Sequence, residues 1–375
     1  MEWKEYQIQD VCRLINGRAY SNDEMLEHGK YKIVRVGNLS GGNSTWFYSD
    51  LELPADKYCH NGDLLFAWAC TFGPHIWKED NTIFHYHIWK IVEDKDVVDR
   101  SFFYYYLKFA TGGFLGALNG SVMVHITKSS MEKMSIRIPK KLEDQRRIVS
   151  ILSSLDCKIE LNNKINADLE EMAQAIFKKW LSECTDEVTI GELSLNVTNY
   201  EKTNAEKVVL INSSDVTEGY FDHHNYSPNK NLKGHFKKRF QKGDILYSQV
   251  RPRNRHWAYC NFEANDYLAS TQLMVIRNNP SLITSILLYQ YIISDNVWKE
   301  FTLKTETRSG TFPQGNYEDL SQIRVPYNSD VEGISNQLET LYAKMFMLEK
   351  ENSRLSLLRD TLLPRLMSGE LEIPE

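Results

Sequence analysis

Apolar residues recur at alternating spacings of four and three along a stretch without glycine or proline, from Leu142 to Leu181. This spacing places them on one face of an α-helix and is typical of a helix that pairs with another. A second stretch repeats the pattern 186 residues later, so that Asn352 corresponds to Asn166. The predicted seam comprises Ile148, Leu152, Leu155, Ile159, Asn166, Leu169 and Ile176 on one helix, and Ile334, Leu338, Leu341, Met345, Asn352, Leu355 and Leu362 on the other.

An asparagine buried in such a seam costs stability but fixes the register and the partner. Its recurrence at Asn166 and Asn352 favours two copies of one spacer helix. Periodicity alone leaves open the alternative of two ordinary amphipathic helices in a globular core.

The segments that precede these helices also repeat. Gly-Asp-Leu at 62–64 returns as Gly-Asp-Ile at 243–245, and Arg-Ile-Pro at 137–139 returns as Arg-Val-Pro at 324–326. The offsets of 181 and 187 residues differ by amounts that loop-length changes explain. The order is therefore one domain, a long helix, a second copy of the domain and a second long helix.

Each copy reads as mixed α/β. In the first, β-like runs cover Lys32–Val36, Asp63–Ala69 and Ile83–Val92, a helix over Ser101–Phe109 is expected to pack on the sheet, and Ser135–Pro139 is expected to be the last strand. The predicted fold class is α/β (α+β), with two pseudo-repeated domains separated by two long helices that form an antiparallel coiled coil. The predicted boundaries are 1–139 for the first domain, 140–184 for the central helix, 185–327 for the second domain and 328–375 for the C-terminal helix.

The ends of the second helix and the length of the pair follow from similar signals. Ser329 and Glu332 have the spacing of a capping box, and Pro364 is expected to end the regular run before Gly369. An antiparallel overlap of about 29 residues at 1.5 Å each would hold the domains at opposite ends of a rod of about 45 Å, which matches about 13 base pairs.

Composition limits the classes of function. The formal net charge is −6, so any nucleic-acid contact must come from local patches. The six cysteines include no Cys-x-x-Cys pair, which is typical of reduced thiols. The start is polar and no run of about 18 apolar residues exists, so we expect a soluble, cytoplasmic protein with no membrane contact.

One patch is strongly basic. Between residues 230 and 255 the only acid is Asp244, against Lys230, Lys233, Lys237, Lys238, Arg239, Lys242, Arg251, Arg253 and Arg255. Such a local field binds phosphates, and arginine and asparagine can also address guanine and adenine edges; a merely solvated basic loop is the alternative. The equivalent loop of the first half, 67–78, is aromatic, and such rings are more often core than contact. The candidate DNA-binding residues are Lys237, Lys238, Arg239, Arg251, Arg253, Asn254 and Arg255 in the second half and Trp68, His75 and Lys78 in the first.

Catalytic signatures with fixed spacing were not found. The sequence contains no phosphate-binding glycine loop, nucleophile elbow or His-Glu-x-x-His metal helix. His85 and His87, and His223 and His224, lack ligand partners at metal-site spacing, so surface or core histidines are the better interpretation. We therefore predict neither a catalytic residue nor a metal ligand.

These motifs together resemble the specificity subunit of type I restriction-modification systems over essentially the whole chain. They are IPKKLEDQRRIVSILSSLDCKIELNNKINADLEEMAQAIFKKW at the first helix, LRDTLLPRLMSGEL at the end, the repeated Gly-Asp-Ile/Leu strand and the Arg-Ile/Val-Pro boundary. The chain departs from the family at the helix starts. Asp144 stands between Glu143 and Gln145, and Ser329 is equivalent to Glu143.

The resemblance implies a non-catalytic subunit that reads double-stranded DNA. Two target recognition domains would each bind one half of a bipartite asymmetric site, while the helices set the gap and dock two modification (methyltransferase) subunits. The modification subunits would carry S-adenosylmethionine, and a restriction subunit would bring ATP-driven translocation and cleavage with Mg. No cofactor is expected in this chain.

Three other interpretations stay open. The chain could be the specificity chain of a related fused or two-subunit restriction system. It could be a stand-alone nuclease or DNA-modifying enzyme whose site the motifs do not reveal. It could also be a coiled-coil scaffold whose mixed domains bind protein, in which case binding would lack the steep salt dependence of phosphate contacts.

Overall fold

The computed structural model describes residues 1–39, 44–69, 72–117, 126–200, 203–230, 232, 234–307 and 313–373, with the backbone alone at 113–117. The helices are α1 Ile8–Val11, α2 Val36–Leu39, α3 Arg100–Ala117, α4 Lys128–Glu132, α5 Leu142–Glu183, α6 Ile190–Leu193, α7 Ser285–Ile293, α8 Asp295–Glu306, α9 Tyr317–Ser321 and α10 Glu332–Ser368. The strands of the first half are β1 Trp3–Gln7, β2 Cys12–Asn16, β3 Tyr31–Val34, β4 Phe47–Ser49, β5 Tyr58–Cys59, β6 Leu64–Ala67, β7 Gly73–Ile76, β8 Thr82–Phe84, β9 Ile88–Glu93 and β10 Ser135–Pro139. Those of the second half are β11 Asp186–Thr189, β12 Ser194–Asn196, β13 Lys207–Ile211, β14 Val216–Thr217, β15 Tyr220–Phe221, β16 Tyr226–Pro228, β17 Phe236–Lys238, β18 Ile245–Ser248, β19 Trp257–Tyr259, β20 Tyr267–Ser270, β21 Leu273–Asn278 and β22 Arg324–Tyr327.

The chain forms two compact units. Unit 1 consists of Met1–Glu160 and Asn352–Glu375, and unit 2 consists of Leu161–Glu351. Each unit therefore includes part of α5 and part of α10.

Unit 1 contains two four-stranded sheets. One has the antiparallel order β2-β9-β6-β7, and the other has the order β4-β3-β8-β5, in which β3 and β8 are parallel. All four residues of β6 are buried because its side chains alternate between two cores. Leu64 and Phe66 pack in the core that contains Phe102 of α3, and Leu65 packs in the core that contains Phe84 of β8.

Unit 2 repeats the order of both four-stranded sheets and adds a short antiparallel pair, β14 and β15. Its sheets have the orders β12-β21-β18-β19 and β16-β13-β20-β17, and β13 and β20 are again the parallel pair. Ile245 and Tyr247 of β18 face the core of α7, whereas Leu246 faces a second core. The predicted fold class, with two pseudo-repeated mixed domains, is confirmed.

The repeated Gly-Asp pair forms the same turn in both units. Gly62 and Gly243 have φ of 88° and 91°, a left-handed conformation that glycine adopts without steric cost. Each aspartate accepts a 2.9 Å hydrogen bond from a backbone N–H three residues earlier. Asp244, which is fully buried, also accepts 2.6 and 2.7 Å hydrogen bonds from Arg277. The motif is therefore part of the scaffold.

One strand prediction for the first half is wrong, and another is confirmed. The run Ile83–Val92 is not one strand, because β8 ends at Phe84 and β9 begins at Ile88, with a turn at residues 85–87. The predicted last strand, Ser135–Pro139, is confirmed as β10, which pairs with β1 in a separate two-stranded sheet. The strand β22 pairs with β11 in the same way in unit 2.

The two long helices run antiparallel. In unit 2, Asn162 Nδ2 lies 2.9 Å from Glu351 Oε2, Asn166 Nδ2 lies 3.4 Å from Met345 O, and the Tyr342 hydroxyl lies 3.1 Å from Glu170 Oε2. As the residue number of the contact increases along α5, the number of its partner on α10 decreases, which confirms the antiparallel pairing. All fourteen seam residues are buried or partly buried. Part of that burial is against the sheet domains, because Ile148 shares a core with Phe102 and Leu338 shares one with Leu287.

Both predictions for the ends of α10 are wrong. The helix begins at Glu332, so Val331 occupies the N-cap position and Ser329 lies outside it. The helix also continues through Pro364 to Ser368. Pro364 and Asp360, whose carbonyl loses its helical partner, are both exposed, so water can hydrogen-bond that carbonyl. Gly369, with φ of 78°, then ends the helix.

Two further observations concern the described part of the chain. None of its helices is both long enough and apolar enough to cross a bilayer. Cys12, Cys59, Cys157, Cys184 and Cys260 are free thiols, and Cys70 lies outside the described residues.

Candidate nucleic-acid interface

Four of the predicted DNA contacts lie on one turn of unit 2. The connection from β18 to β19 contains a single 3-10 turn, Pro252–Asn254, flanked by Arg251 and Arg255. Both arginines are left-handed, with φ of 48° and 53°, a conformation that costs a non-glycine residue about 1–3 kcal/mol. The turn is held by a 2.9 Å hydrogen bond from Trp298 Nε1 of α8 to Pro252 O.

Helix α8 also supplies counter-charges to this turn. Arg253 Nη2 lies 2.6 Å from Glu306 Oε2, and Arg255 Nη2 lies 3.4 Å from Asp295 Oδ1. The Arg255 guanidinium also stacks 4.3 Å from the Trp298 ring centroid. Exposed pairs of this kind contribute about 0–1 kcal/mol each, so phosphate oxygens can compete for the same arginines.

The three basic residues at 237–239, at the end of strand β17, differ in their exposure. Lys237 is exposed, and its ammonium group lies 5.0 Å from the Tyr200 ring centroid. Lys238 is 5% exposed and donates a 2.6 Å hydrogen bond to Leu273 O, so we withdraw it from the candidate interface. Burial also lowers the pKa of Lys238. Arg239 is half-buried and donates to Asn265 O at 2.5 Å, while Lys233 lies outside the described residues.

The three candidates of the first half do not form one cluster. Trp68 follows the end of β6, whereas Lys78 follows the opposite end of its partner strand β7. Lys78 lies 2.7 Å from Glu160 in an exposed ion pair. His75 is half-buried within β7, where it pairs with Leu65. Of the three, only Trp68 lies at the end of the β6–β7 pair that faces the turn 85–87.

The turn at residues 85–87 lies against Trp68 and contains His85 and His87, two histidines for which the sequence predicted no function. The indole ring centroid lies 5.0 Å from that of His87, and Trp68 Nε1 donates a 2.9 Å hydrogen bond to Tyr86 O. The His85 and His87 ring centroids are 5.0 Å apart. The sequence signal, His-Tyr-His, was visible, but the prediction of one continuous strand hid the turn.

The environment of these histidines favours neutral imidazoles. Burial, with smaller contributions from His87 and Arg35, lowers the pKa of His85 to about 4. Burial also lowers the pKa of His87. Among the described residues no group of three or more His, Cys, Asp or Glu side chains could hold a metal ion. The turn at residues 85–87 therefore offers neutral hydrogen-bonding and stacking groups, and the turn at 252–254 offers cationic ones.

Comparison with known proteins identifies relatives of this chain. Residues 1–171 match the family model described as "Type I restriction modification DNA specificity domain". Over 138 residues the chain is 36% identical to the type I restriction enzyme HindI specificity subunit of Haemophilus influenzae, a match that covers 36% of this chain and 30% of that relative. The chain thus spans less than a third of that relative's length.

Two longer matches cover most of the chain. It is 23% identical over 314 residues to the type I restriction enzyme MjaIX specificity subunit of Methanocaldococcus jannaschii, covering 75% of this chain and 71% of that one. The crystal structure of a type I restriction-modification system S subunit from M. genitalium superposes with a TM-score of 0.61 at 16% identity, covering 98% and 96% of the two chains. The structural match shows a shared fold. The family match over residues 1–171 confirms the resemblance inferred from the sequence.

Proposed function

We propose that this chain, which resembles type I specificity subunits, directs a type I restriction-modification complex to its DNA target. Units 1 and 2 would each read one half of a bipartite asymmetric site. The observation that carries the proposal is a duplication of the two four-stranded sheets, whose copies differ in the chemistry at equivalent connections. The β18–β19 connection presents Arg251, Arg253 and Arg255, whereas the β6–β7 connection begins with Trp68 beside two histidines. Two readers of one fold but unlike surfaces suit two unlike half-sites.

The helix pair supports a role as a spacer. Helix α5 is 42 residues long and has no glycine or proline, and the seam between α5 and α10 carries polar contacts that specify register. A stiff pair of this kind would set the number of base pairs between the half-sites.

The same helices offer a surface for the modification subunits. Large apolar side chains are about half-exposed or more on both helices, namely Leu161, Met172, Met347, Leu357 and Leu358. Such side chains suit contacts with partner proteins. Two modification subunits would carry S-adenosylmethionine and methylate adenine, and a restriction subunit would add ATP- and Mg-dependent cleavage. These partners would also share the neutralisation of DNA phosphates, which suits a chain of net charge −6.

The test is reconstitution with modification subunits of a type I system from the same organism. Methylated adenines are mapped in the DNA of a methylation-free host, with and without the chain. We expect a two-part motif with a constant gap that depends on the chain. Methylation that does not depend on the chain, or a continuous motif, would contradict the proposal. Purified chain that cut or methylated DNA by itself would favour the stand-alone enzyme instead.

A further inference from the structure

The two units share a structural element that the sequence did not single out. It is the turn after the parallel strand pair, at residues 85–87 between β8 and β9 and at residues 271–272 between β20 and β21. We propose that these "reading turns" contact base edges, through His85, Tyr86 and His87 with Trp68 in unit 1 and through Gln272 with Gln249 in unit 2. The proposal rests on the proposed function of the units as DNA readers and names the residues that would set each half-site.

The turn of unit 1 is held rigidly by its backbone. The N–H groups of His85 and Tyr86 donate to Val34 O and Arg18 O at 2.9 and 3.0 Å, and Trp68 N donates to His87 O at 3.1 Å. Gly17 passes so close that a Cβ there would lie 2.2 Å from His85 O. A rigid backbone keeps side chains in place for recognition, because less conformational entropy is lost on binding.

Unit 2 builds its turn in the same way. Gln249 N donates to Gln272 O at 2.9 Å, which is the equivalent of the bond from Trp68 to His87. In both units the preceding strand is the parallel partner, with Val34 opposite Phe84 and Ile211 opposite Ala269. Because the turn joins equivalent strands of the two units and its side chains differ, it is a position where the two halves of the protein can diverge in specificity without a change of sheet topology.

The side chains of the unit 1 turn retain unused hydrogen-bonding capacity. Among the described residues, none hydrogen-bonds to the imidazole nitrogens of His85 or His87 or to the Tyr86 hydroxyl. The Tyr86 side chain is 40% exposed. A neutral imidazole can donate and accept at once, so this turn can match mixed donor and acceptor patterns in the major groove.

The unit 2 turn carries one amide side chain, Gln272, beside Thr271. Gln272 is exposed, and its Oε1 accepts a hydrogen bond from Ser213 Oγ at the long distance of 3.4 Å. Glutamine can pair in a bidentate manner with the N6 and N7 atoms of adenine. Unit 2 therefore has the chemistry to prefer adenine at the position that Gln272 reaches.

Phosphate-binding candidates lie next to both turns. Gln249 opens the connection that carries Arg251, Arg253 and Arg255, and Arg35 directly follows Val34, whose carbonyl accepts a hydrogen bond from His85 N. DNA-reading surfaces combine such cations, which position the backbone, with neutral groups that contact bases. This arrangement favours DNA over a protein ligand at these turns.

The experiment uses the reconstituted methyltransferase complex and three variants, Tyr86→Ala and His87→Ala in unit 1 and Gln272→Ala in unit 2. Tyr226→Ala, which removes an exposed tyrosine from β16, is the control. Methylated motifs are mapped, and binding to duplexes with single-base changes is measured at several salt concentrations. We expect each unit 1 variant to lose about tenfold in preference for the correct base in one half-site, with the other half-site intact. Gln272→Ala should lose preference in the other half-site and leave the half-site read by unit 1 intact. The salt dependence of binding should not change in any of the variants.

Several results would overturn the assignment. They are unchanged motifs, a similar loss in both half-sites, weaker binding to all sequences alike, or failure of the variants to join the complex. Urea unfolding separates misfolding from lost contacts, because removing the exposed Tyr86 ring should leave the midpoint unchanged. A wild-type complex that produces a two-part motif while the variants behave as wild type would disprove the reading turns but leave the proposed function standing. If even the wild-type complex produced no two-part motif, both proposals would fail.

Discussion

Arg359 of α10 donates from Nη1 to Oδ1 of Asp156 on α5 at 2.7 Å, and the other carboxylate oxygen of Asp156 accepts from the Tyr105 hydroxyl of α3 at 2.7 Å. One carboxylate therefore joins three helices of unit 1. Burial, together with the neighbouring Asp156 carboxylate, raises the pKa of Tyr105 above its usual value, so the phenol stays protonated and continues to donate. The C-terminal segment is thereby attached to the N-terminal domain.

Arg359→Met should destabilise unit 1 by about 1–2 kcal/mol, because it leaves a partly buried Asp156 carboxylate without its cation. Urea unfolding measures the change. Arg354→Met, an exposed site on the same helix, is the control and should have no measurable effect. Equal stability of the two variants would show that this ion pair does not attach α10 to unit 1.

The adjacent residues Lys237 and Lys238 should behave differently. Lys237→Met should lower the salt dependence of DNA binding by about one counterion, because its ammonium group is exposed. Lys238→Met should leave that slope unchanged and destabilise the fold by about 1–2 kcal/mol, because Leu273 O loses its donor. Binding at several salt concentrations and urea unfolding test both variants. If Lys238→Met lowered the salt dependence of DNA binding and Lys237→Met did not, Lys238 would be a DNA contact after all.

Removing a counter-charge on α8 should strengthen DNA binding. Glu306→Gln frees Arg253 from its ion pair, so the guanidinium is available to phosphate. We expect binding of non-specific duplex to tighten by about two- to fivefold, since exposed pairs contribute about 0–1 kcal/mol. The double variant Arg253→Met, Glu306→Gln should lose this gain. A gain that persists in the double variant would mean that Arg253 does not contact DNA.

The stability of unit 2 should depend on pH through Glu349. Burial raises the pKa of Glu349 to about 7, while the hydrogen bond to Tyr220 opposes the shift and the nearby Glu170 adds to it. The folded state therefore binds the proton more tightly than the unfolded state, whose carboxyl has a pKa of 4.5. The resulting stabilisation is complete below about pH 4.5 and is lost as the pH rises through about 7.

Thermal unfolding between pH 5 and pH 8 measures this effect. Glu349→Gln should flatten the decline, because the amide does not titrate. Glu339→Gln, an exposed acid on the same helix, should keep the wild-type slope. An unaltered slope in Glu349→Gln would exclude this carboxyl as the origin.

Matched insertions should change the gap of the DNA target. One heptad inserted after Glu160 in α5 and another after Glu351 in α10 would lengthen the pair by about 10 Å, which is about three base pairs. The insertions preserve the 3.5-residue repeat and therefore the seam. Mapping of methylated adenines should show a longer gap with both half-sites unchanged. A constant gap would rule out the helices as the spacer, and an insertion in one helix alone should abolish assembly because the seams no longer match.

Much of the fold was predictable because it depends on local periodicity. The heptads around Asn166 and Asn352 specified two long helices, and the repeated Gly-Asp turn marked equivalent strands, because left-handed glycines and alternating apolar residues are short-range signals. The C-terminal end of α10 was mispredicted for the opposite reason. Pro364 is a local helix breaker, but its exposed position makes the lost hydrogen bond inexpensive.

The amino-acid sequence by itself determined the duplication, the two helices and the family resemblance, because each is a pattern along the chain. Only the tertiary structure decided which polar side chains are available to DNA. Lys237 and Lys238 are adjacent in sequence, yet one is exposed and the other is bonded to a carbonyl 35 residues away. His87 meets Trp68 only because β6 and β9 are neighbours in one sheet. Burial and pairing partners arise from contacts between distant segments, and no spacing along the chain encodes them.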